Sequence, residues 1–165
     1  MKKELTQERL KELLSYDPET GVFRWKRAHR KIKVGDIAGS IHVTGYRQIK
    51  VDGQLHKAHR LAWLYIYGQL PKNQLDHKHG WREDCRLVEL REATPLENAR
   101  NCSIRSDNTS GYKGVNWSKA NQAWCARISL KRKRISMGHF STAIEASRVY
   151  EEAAKKYFGE FRRAV

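Results

Sequence analysis

The chain has 165 residues, of which 33 are Lys or Arg and 18 are Asp or Glu, so its formal net charge is +15. This length supports one or two compact units, and the positive surplus favours a polyanionic partner, most often nucleic acid. The surplus is +7 over residues 1–102 and +8 over residues 103–165, which excludes a basic tail as its source. The chain has no apolar run of membrane-spanning length, no apolar signal core at its start and no disulfide framework among its cysteines. We therefore expect a cytoplasmic protein without membrane contact.

The first predicted elements are a short helix and a strand. Thr6 can cap a helix that runs to about Leu14, and the turn signal at residues 17–21 leads into a strand at residues 22–25. Six basic residues, counting His29, then fall within residues 26–33. This run could grip phosphates or form a solvated loop, and the charge of the whole chain favours phosphate contact.

The following stretch, residues 35–101, has the pattern of a compact α+β unit. Residues 37–43 and 46–51 predict a hairpin, and residues 56–67 predict a helix. His59 lies inside this helix at a spacing that suits packing. We expect it to be a core histidine whose hydrogen bonds are satisfied.

Two strands and a second helix complete this unit. The strands are predicted at residues 74–77 and about 86–91, with a loop between them. The run Thr94-Pro95-Leu96-Glu97 combines an N-cap hydroxyl, a proline at the first helical position and a glutamate at the third. It therefore predicts a helix start with a capping box and places Asn98 in the first turn.

Asp76, His77 and Asn98 have the chemistry of a phosphodiester-hydrolysing centre. A hard divalent ion such as Mg²⁺ prefers oxygen ligands and retains most of its waters, so Asp76 and Asn98 would suffice beside a phosphate. A neutral imidazole such as that of His77 can deprotonate the attacking water at neutral pH. If Asp76 and His77 merely ended a strand, the arrival of Asn98 on a capped helix would have no explanation.

Three segments of this unit carry a resemblance to a known family: Asp76-His77, Arg86-Leu87-Val88-Glu89-Leu90-Arg91 and Glu97-Asn98-Ala99-Arg100-Asn101. They resemble the HNH nuclease motif of phage and intron homing endonucleases. The run Ala58-His59-Arg60-Leu61-Ala62-Trp63 resembles the segment that introduces the motif, and about residues 5–102 are covered. The resemblance implies a ββα-metal nuclease domain in which His77 is the general base. It also implies a divalent ion at Asp76 and Asn98, Mg²⁺ with Mn²⁺ as the alternative.

Glu89 departs from the family pattern and is a second candidate residue of the catalytic centre. The family usually has asparagine here, and its amide ties the loop that carries the histidine to the rest of the motif. An ionised glutamate only accepts hydrogen bonds, so it needs protonation or a rearranged partner to replace that clamp. Cys85 similarly stands where the family often has asparagine. An active nuclease and a degenerate one that still binds DNA therefore both remain open.

A zinc site is the alternative for the His and Cys residues of this region. The candidates are His77, His79, Cys85 and Cys102, whose ligand types suit Zn²⁺. Their spacings lack the short paired loops of structural zinc sites, which disfavours this interpretation.

A second small unit is predicted beyond a polar stretch at residues 103–110, which has the composition of a linker or a DNA-tracking segment. Apolar residues alternate along three short strands, at Val115, Trp117, Trp124, Ala126, Ile128, Ile135 and Met137. Thr142 and Glu145 predict a capped helix that covers this apolar face, with Ala143, Ala146, Val149, Tyr150, Ala153 and Tyr157 at helical spacing. Trp117 and Trp124 could stack on bases, but their parity favours packing in the core.

The motifs Gly111-Tyr112-Lys113-Gly114-Val115, Gly138-His139-Phe140 and Ala153-Ala154-Lys155-Lys156-Tyr157-Phe158-Gly159-Glu160 closely resemble the AP2 DNA-binding domain, over about residues 110–163. In that family a three-stranded sheet enters the major groove. The resemblance implies that the polar face of the sheet and its turns contact DNA. The candidate residues are Lys113, Asn116, Ser118, Arg127, Ser129, Lys131, Arg134 and Ser136. Several positions that are arginine or tryptophan in the family are small and polar here, so the target sequence is undetermined.

Together these patterns predict an α+β chain in three parts. An N-terminal HNH (ββα-metal) nuclease domain occupies residues 1–102, a linker residues 103–110, and an AP2-like three-stranded antiparallel sheet packed on one helix residues 111–165. The expected function is a metal-dependent endonuclease that nicks double-stranded DNA in a homing-type role, in the cytoplasm of a bacterial host if a phage encodes it. The alternative is a catalytically weakened DNA-binding or regulatory protein. The oligomeric state stays open.

Overall fold

A computed structural model describes residues 4–130 and 133–163. Over these residues the chain forms a mixed α and β structure of several small sheets and four α-helices. It divides into two compact units, Met1–Ala99 and Arg100–Val165, so the polar stretch 103–110 is counted in the second unit. Within the described ranges, no helix has the length and apolar character needed to cross a bilayer.

The first unit opens with a helix and a hairpin. Helix α1, Gln7–Leu13, begins at the predicted cap, where the Thr6 hydroxyl accepts a hydrogen bond from the Arg9 amide at 3.2 Å. Strand β1, Leu14–Asp17, follows directly and pairs antiparallel with the predicted strand β2, Val22–Trp25. The sequence pattern does not predict β1, because its first leucine continues the apolar face of the helix.

A three-stranded antiparallel sheet and a helix come next. The predicted hairpin is confirmed with a shorter first strand: β3, Ser40–Ile41, pairs with β4, Arg47–Val51. The last two residues of the third strand, β5, Gln54–Lys57, are ones that the pattern assigns to the start of the helix. Helix α2 therefore spans Ala58–Tyr67, two residues shorter than expected.

The last part of this unit is a strand, loop, strand and helix in the predicted order. Strand β6, Gln74–His77, pairs antiparallel with β7, Leu90–Ala93, and helix α3, Pro95–Arg100, follows. β7 begins four residues later than expected, because Leu87–Glu89 form a 3₁₀ turn. The predicted capping box is confirmed: the Thr94 amide donates to the Glu97 carboxylate at 2.8 Å, and the Glu97 amide donates to the Thr94 hydroxyl at 3.3 Å.

The core of the first unit anchors the segment that precedes β7. Cys85 and Leu90 are both buried in the cluster formed by α1, β1, β2, β4 and α2. The Tyr16 hydroxyl donates to the Cys85 carbonyl at 2.6 Å, and burial raises the pKa of the Cys85 thiol to about 12. Cys85 is therefore an unreactive core thiol that fixes one end of the loop between the two strands of the site.

The second unit is an antiparallel sheet packed on one helix. Strands β8, Val115–Ser118, β9, Ala123–Leu130, and β10, Lys133–Phe140, lie in the order β10-β9-β8. Helix α4, Ala143–Phe158, starts with the predicted capping box of Thr142 and Glu145. It packs on the sheet through four buried residues, Ala146, Tyr150, Ala154 and Phe158. The expected contact at Tyr157 is wrong, since the four-residue spacing selects Phe158 and leaves Tyr157 exposed.

Gly114 and Trp117 show where this unit is closely packed and where it is not. Gly114 has a φ of +71°, and a Cβ atom there would lie 2.1 Å from the Tyr150 ring, so only glycine lets the helix approach. Trp117, expected in the core, is 43% exposed and lies outside the buried cluster. Its ring contacts that of Trp124, its cross-strand partner, at a centroid distance of 5.2 Å.

Candidate active site

The pairing of β6 with β7 places the predicted catalytic residues inside the first unit. Asp76 lies opposite Arg91, and His77 lies opposite Leu90. Asp76 and His77 are each only 5% exposed, although neighbouring strand residues point to opposite faces. Both predicted residues are therefore held by the ββα segment within a largely desolvated environment.

Asp76 is held by a guanidinium that the sequence reasoning missed. Arg91 donates to Asp76 Oδ2 from Nε at 2.9 Å and from Nη2 at 2.7 Å, and both side chains are buried. Charge-assisted contacts of this kind fix the position of a carboxylate. The register of β6 on β7 is the signal that identifies Arg91, and it is not readable from the sequence motif alone.

His77 is placed to act as a neutral base. Burial lowers the pKa of its imidazole below the ordinary value, and the nearby Asp76 carboxylate opposes this shift without reversing it. The ring is therefore unprotonated at neutral pH, the state that a general base requires. It packs with the rings of Tyr46 and His59 at centroid distances of 5.8 and 4.9 Å.

His59 differs from its predicted character. Its ring is buried as expected, but its Nδ1 atom makes no hydrogen bond with the residues that the structure describes. Burial, with a smaller contribution from His77, lowers the pKa of His59 to about 3. The expectation of satisfied hydrogen bonds is thus wrong for Nδ1. His59 is a neutral ring packed edge-on against the candidate base.

Asn98 is brought to the strand that carries Asp76. Its Nδ2 group donates to Gln74 Oε1 at 2.6 Å, and Gln74 is two residues before Asp76 on β6. This contact fixes the orientation of the Asn98 side-chain amide, with Nδ2 towards Gln74. Gln74 was not predicted as a site residue, because nothing in its sequence context distinguishes it from a surface glutamine.

Glu89 holds the loop after His77 through a rearranged partner. Its carboxylate contacts His79 Nδ1, and its backbone carbonyl accepts from the Lys78 amide at 2.9 Å. The Lys78 ammonium also donates to the Val88 carbonyl at 2.6 Å. His79 therefore supplies the donor that an ionised glutamate requires, and the loop is tied to the 3₁₀ turn before β7.

The side chains of this region can be compared with the ligands that Zn²⁺ and a hard divalent ion such as Mg²⁺ require. Within residues 4–130 and 133–163, no group of three or more His, Cys, Asp and Glu side chains is arranged to hold a metal ion. A hard divalent ion needs fewer protein ligands, since water and phosphate complete its shell. The Asp76 carboxylate and the Asn98 amide are oxygen donors of the right chemistry, and a cation at Asp76 would share that carboxylate with Arg91.

The second unit presents a polar depression on the sheet face opposite α4. Asn116, Arg127, Ser129 and Arg134 line it together with Gly114, and its volume is about 340 Å³. The Arg127 guanidinium is held in place, because its Nε donates to the buried Cys125 Sγ at 3.3 Å. Four of the predicted DNA-contacting residues thus share one concave surface.

The other predicted DNA-contacting residues do not line this depression. Ser118 accepts a hydrogen bond from Asn121 at 3.0 Å, and Ser136 contacts Cys125 Sγ at 3.3 Å. Lys113 donates to the carbonyls of residues 100 and 102 at 2.5 and 2.7 Å, and burial lowers the pKa of its half-buried ammonium. Its charge is therefore directed at the chain's own backbone. Lys131 lies outside the described residues.

Comparisons with known proteins agree with the geometry of the first unit. A family model described as HNH endonuclease matches residues 56–100, which include β6, β7 and α3. Protein 3.8 of Escherichia phage T7 is 35% identical over 85 residues, covering 49% of this chain and 70% of that protein. No solved structure matches the chain. The chain belongs to the same family as phage T7 protein 3.8 and carries an HNH endonuclease domain at residues 56–100.

Proposed function

We propose that this protein is a metal-dependent endonuclease that nicks double-stranded DNA. The observation that supports this most strongly is the neutral, buried His77 beside the fixed Asp76 carboxylate, within an HNH domain. His77 would accept the proton of a water molecule as that water's oxygen bonds to phosphorus. The bond from phosphorus to the leaving oxygen then breaks, and one strand is cut.

Asp76 and Asn98 are the residues that would hold the divalent ion, Mg²⁺ or alternatively Mn²⁺. When bound, such an ion supplies positive charge that stabilises the phosphate and the leaving oxygen. Arg91 holds the Asp76 carboxylate, and Gln74 holds the Asn98 amide. Glu89 acts indirectly, since its contact with His79 braces the loop that begins at His77.

The second unit is proposed to position the duplex as an AP2-like DNA-binding domain. A three-stranded sheet with an uncovered polar face is the architecture on which the proposal rests. Asn116, Arg127, Ser129 and Arg134 would contact the major groove, with Ser118, Ser136 and Lys131 as further candidates. Lys113 is given a structural role instead, because its ammonium is bound to backbone carbonyls.

Replacing Arg127 and Arg134 by Gln is expected to weaken DNA binding and reduce its dependence on salt. Each arginine that neutralises a phosphate contributes about 0.9 to the slope of log affinity against log salt, so the slope should fall by up to about 2. Fluorescence anisotropy with a labelled duplex at 50–200 mM salt, in EDTA, measures both quantities. Arg148→Gln, which replaces an arginine on helix α4, is the matched control. An unchanged affinity together with an unchanged slope would remove the sheet face from the interface.

A homing-type role is proposed for the nicking activity, in the cytoplasm of a bacterial host. The phage relative supports a phage setting, and the HNH domain supports the reaction class. One active site per chain accounts for a nick. Cutting of both strands would need a second chain or a second binding event.

The test is incubation of supercoiled plasmid with the native chain and Mg²⁺ at several protein concentrations. We expect nicked circles that accumulate with time and that do not form when EDTA is present from the start. Binding without nicking, under varied metals and targets, would instead establish the second candidate, a weakened HNH protein that binds DNA or regulates its use. Glu89 is the observation that favours the second candidate, so Glu89→Asn belongs in the same assay. Activity gained only in that variant would show a degenerate site.

A further inference from the structure

The loop between β6 and β7 presents a large aromatic side chain to solvent. Trp81 is 67% exposed, and it lies four residues beyond His77. Among the described residues, no other Phe, Tyr or Trp side chain is as exposed, and the indole offers a large, rigid apolar area to a partner. The sequence patterns of the HNH motif give this residue no role.

The loop holds Trp81 in a defined place. The Gly80 amide donates to the His77 carbonyl at 2.8 Å, and the Asp84 amide donates to the Trp81 carbonyl at 3.1 Å. Asp84 is itself held by Arg86, at 3.0 Å from Nε and 2.6 Å from Nη2. A turn therefore closes on each side of Trp81, so binding through it would order few additional groups.

The neighbour of Trp81 connects the loop to the candidate base. Arg82 donates to the Thr44 carbonyl at 3.0 Å, and its guanidinium lies 5.4 Å from the Tyr46 ring. The same Tyr46 ring packs with His77. Trp81 is thus carried by a segment fixed directly against the rings of the active site.

The charges of this region indicate a phosphate-bearing partner. Arg82 and Lys57 both lie over the Tyr46 ring, the lysine at 4.3 Å from its centroid. Lys78 is a third cation of this region. Of the loop's three carboxylates, Asp84 is paired with Arg86 and Glu89 contacts His79, so Glu83 is the remaining one. Positive charge attracts phosphates, while an adjacent aromatic face takes an unpaired or unstacked base.

We infer that Trp81 stacks on a nucleobase beside the phosphate that is cut. A side chain of this kind inserts at a base step of the duplex and opens it, which turns the neighbouring phosphate towards the active site. The inference rests on the proposed DNA-cleaving function, but it concerns binding, so it can be tested without cleavage. It assigns the loop a ligand class, the aromatic face of a base.

The experiment compares Trp81→Ala, Trp81→Phe and the control Tyr67→Ala in DNA binding with EDTA present. Tyr67 is an exposed aromatic residue of the same unit, at the end of α2. Tryptophan fluorescence and anisotropy of a labelled duplex are recorded in one titration. We expect Trp81→Ala to lose part of the DNA-induced quenching, since four other tryptophans remain, and about tenfold in affinity, the scale of one base stack. Trp81→Phe should recover part of the affinity, and Tyr67→Ala should behave as the native chain.

Each alternative result is decisive. Native quenching and affinity in Trp81→Ala would overturn the inference and point to a protein partner for the exposed ring. A native chain that binds no duplex would overturn both the inference and the proposed function. A native chain that binds but does not cut, with the Trp81 variants as expected, would overturn the nuclease proposal alone. Thermal unfolding of each variant should match the native chain, since Trp81 is mostly exposed.

Discussion

Replacing His77 by Ala is expected to lower the rate of plasmid nicking by at least about 100-fold, the usual contribution of a positioned general base. The buried ring of His77 is neutral at neutral pH. The other imidazole in the cluster of Tyr46, His59 and His77 is that of His59, which is not next to Asp76 in the sequence. The measurement is a single-turnover time course with excess protein and Mg²⁺. DNA affinity should change little, because the imidazole is buried.

The control for this prediction is His42→Ala. His42 is exposed on the turn between β3 and β4, and its ring contacts only the Thr44 side chain and amide among the described residues. This variant should nick at the native rate. Nicking by His77→Ala within a few-fold of the native rate would exclude His77 as the base and leave the HNH centre without its assigned chemistry.

Replacing Arg91 by Met is expected to lower the free energy of unfolding of the first unit by about 3–5 kcal/mol, the cost of breaking a buried ion pair. The Asp76 carboxylate would stay buried while losing the guanidinium that contacts it at 2.7 Å. Urea denaturation of the full chain measures the change. The double variant Asp76→Asn with Arg91→Met should recover part of the loss, because the buried charge is then gone.

Arg9→Met is the matched comparison for this pair. Arg9 also contacts a carboxylate through two nitrogens, both at 2.9 Å from Asp52, but these side chains are substantially exposed. Exposed ion pairs contribute little to stability, because water screens them, so Arg9→Met should be much milder. Equal effects of the two variants would contradict the view that Asp76 is fixed by a desolvated pair.

The ion pair of Asp76 and Arg91 also determines how variants of Asp76 should be interpreted. Asp76→Ala would remove the proposed metal ligand and at the same time leave Arg91 buried beside an alanine. Loss of nicking in that variant could therefore reflect unfolding. Asp76→Asn keeps the shape of the side chain and an oxygen that can face Arg91, and it is the better test of the metal role.

Local signals in the sequence predicted much of the secondary structure. The two capping boxes, at Thr94 and Thr142, place helix starts where the structure has them, since a cap is formed by residues three positions apart. The sequence does not predict strand β5, because Leu55 is its only apolar residue and the pattern assigns its last two residues to the helix that follows. Pairing with β4 makes these residues a strand and not the start of a helix, and strand pairing depends on residues that are distant in sequence.

The residues of the candidate site also fall into two groups, those that local sequence signals identify and those that only long-range contacts identify. Asp76, His77 and Asn98 can be found from motif spacing, but the residues that hold them cannot. Arg91 reaches Asp76 through the register of two strands. Tyr46 reaches His77 from a separate hairpin. His79 is only a candidate zinc ligand in the sequence, but in the structure it contacts Glu89. The candidate catalytic and metal-binding residues are thus readable from sequence, while the residues that hold them depend on the fold.

The central claim is that a divalent ion and the cut phosphate meet at Asp76 and Asn98. A crystal structure of the His77→Ala chain with duplex DNA and Mn²⁺, with the ion located by anomalous scattering, tests it most directly. We predict an ion at about 2.0–2.6 Å from an Asp76 carboxylate oxygen and the Asn98 amide oxygen, with a backbone phosphate completing its shell. An ion bound at other residues, or a duplex whose phosphates stay away from Asp76 and Asn98, would contradict the claim.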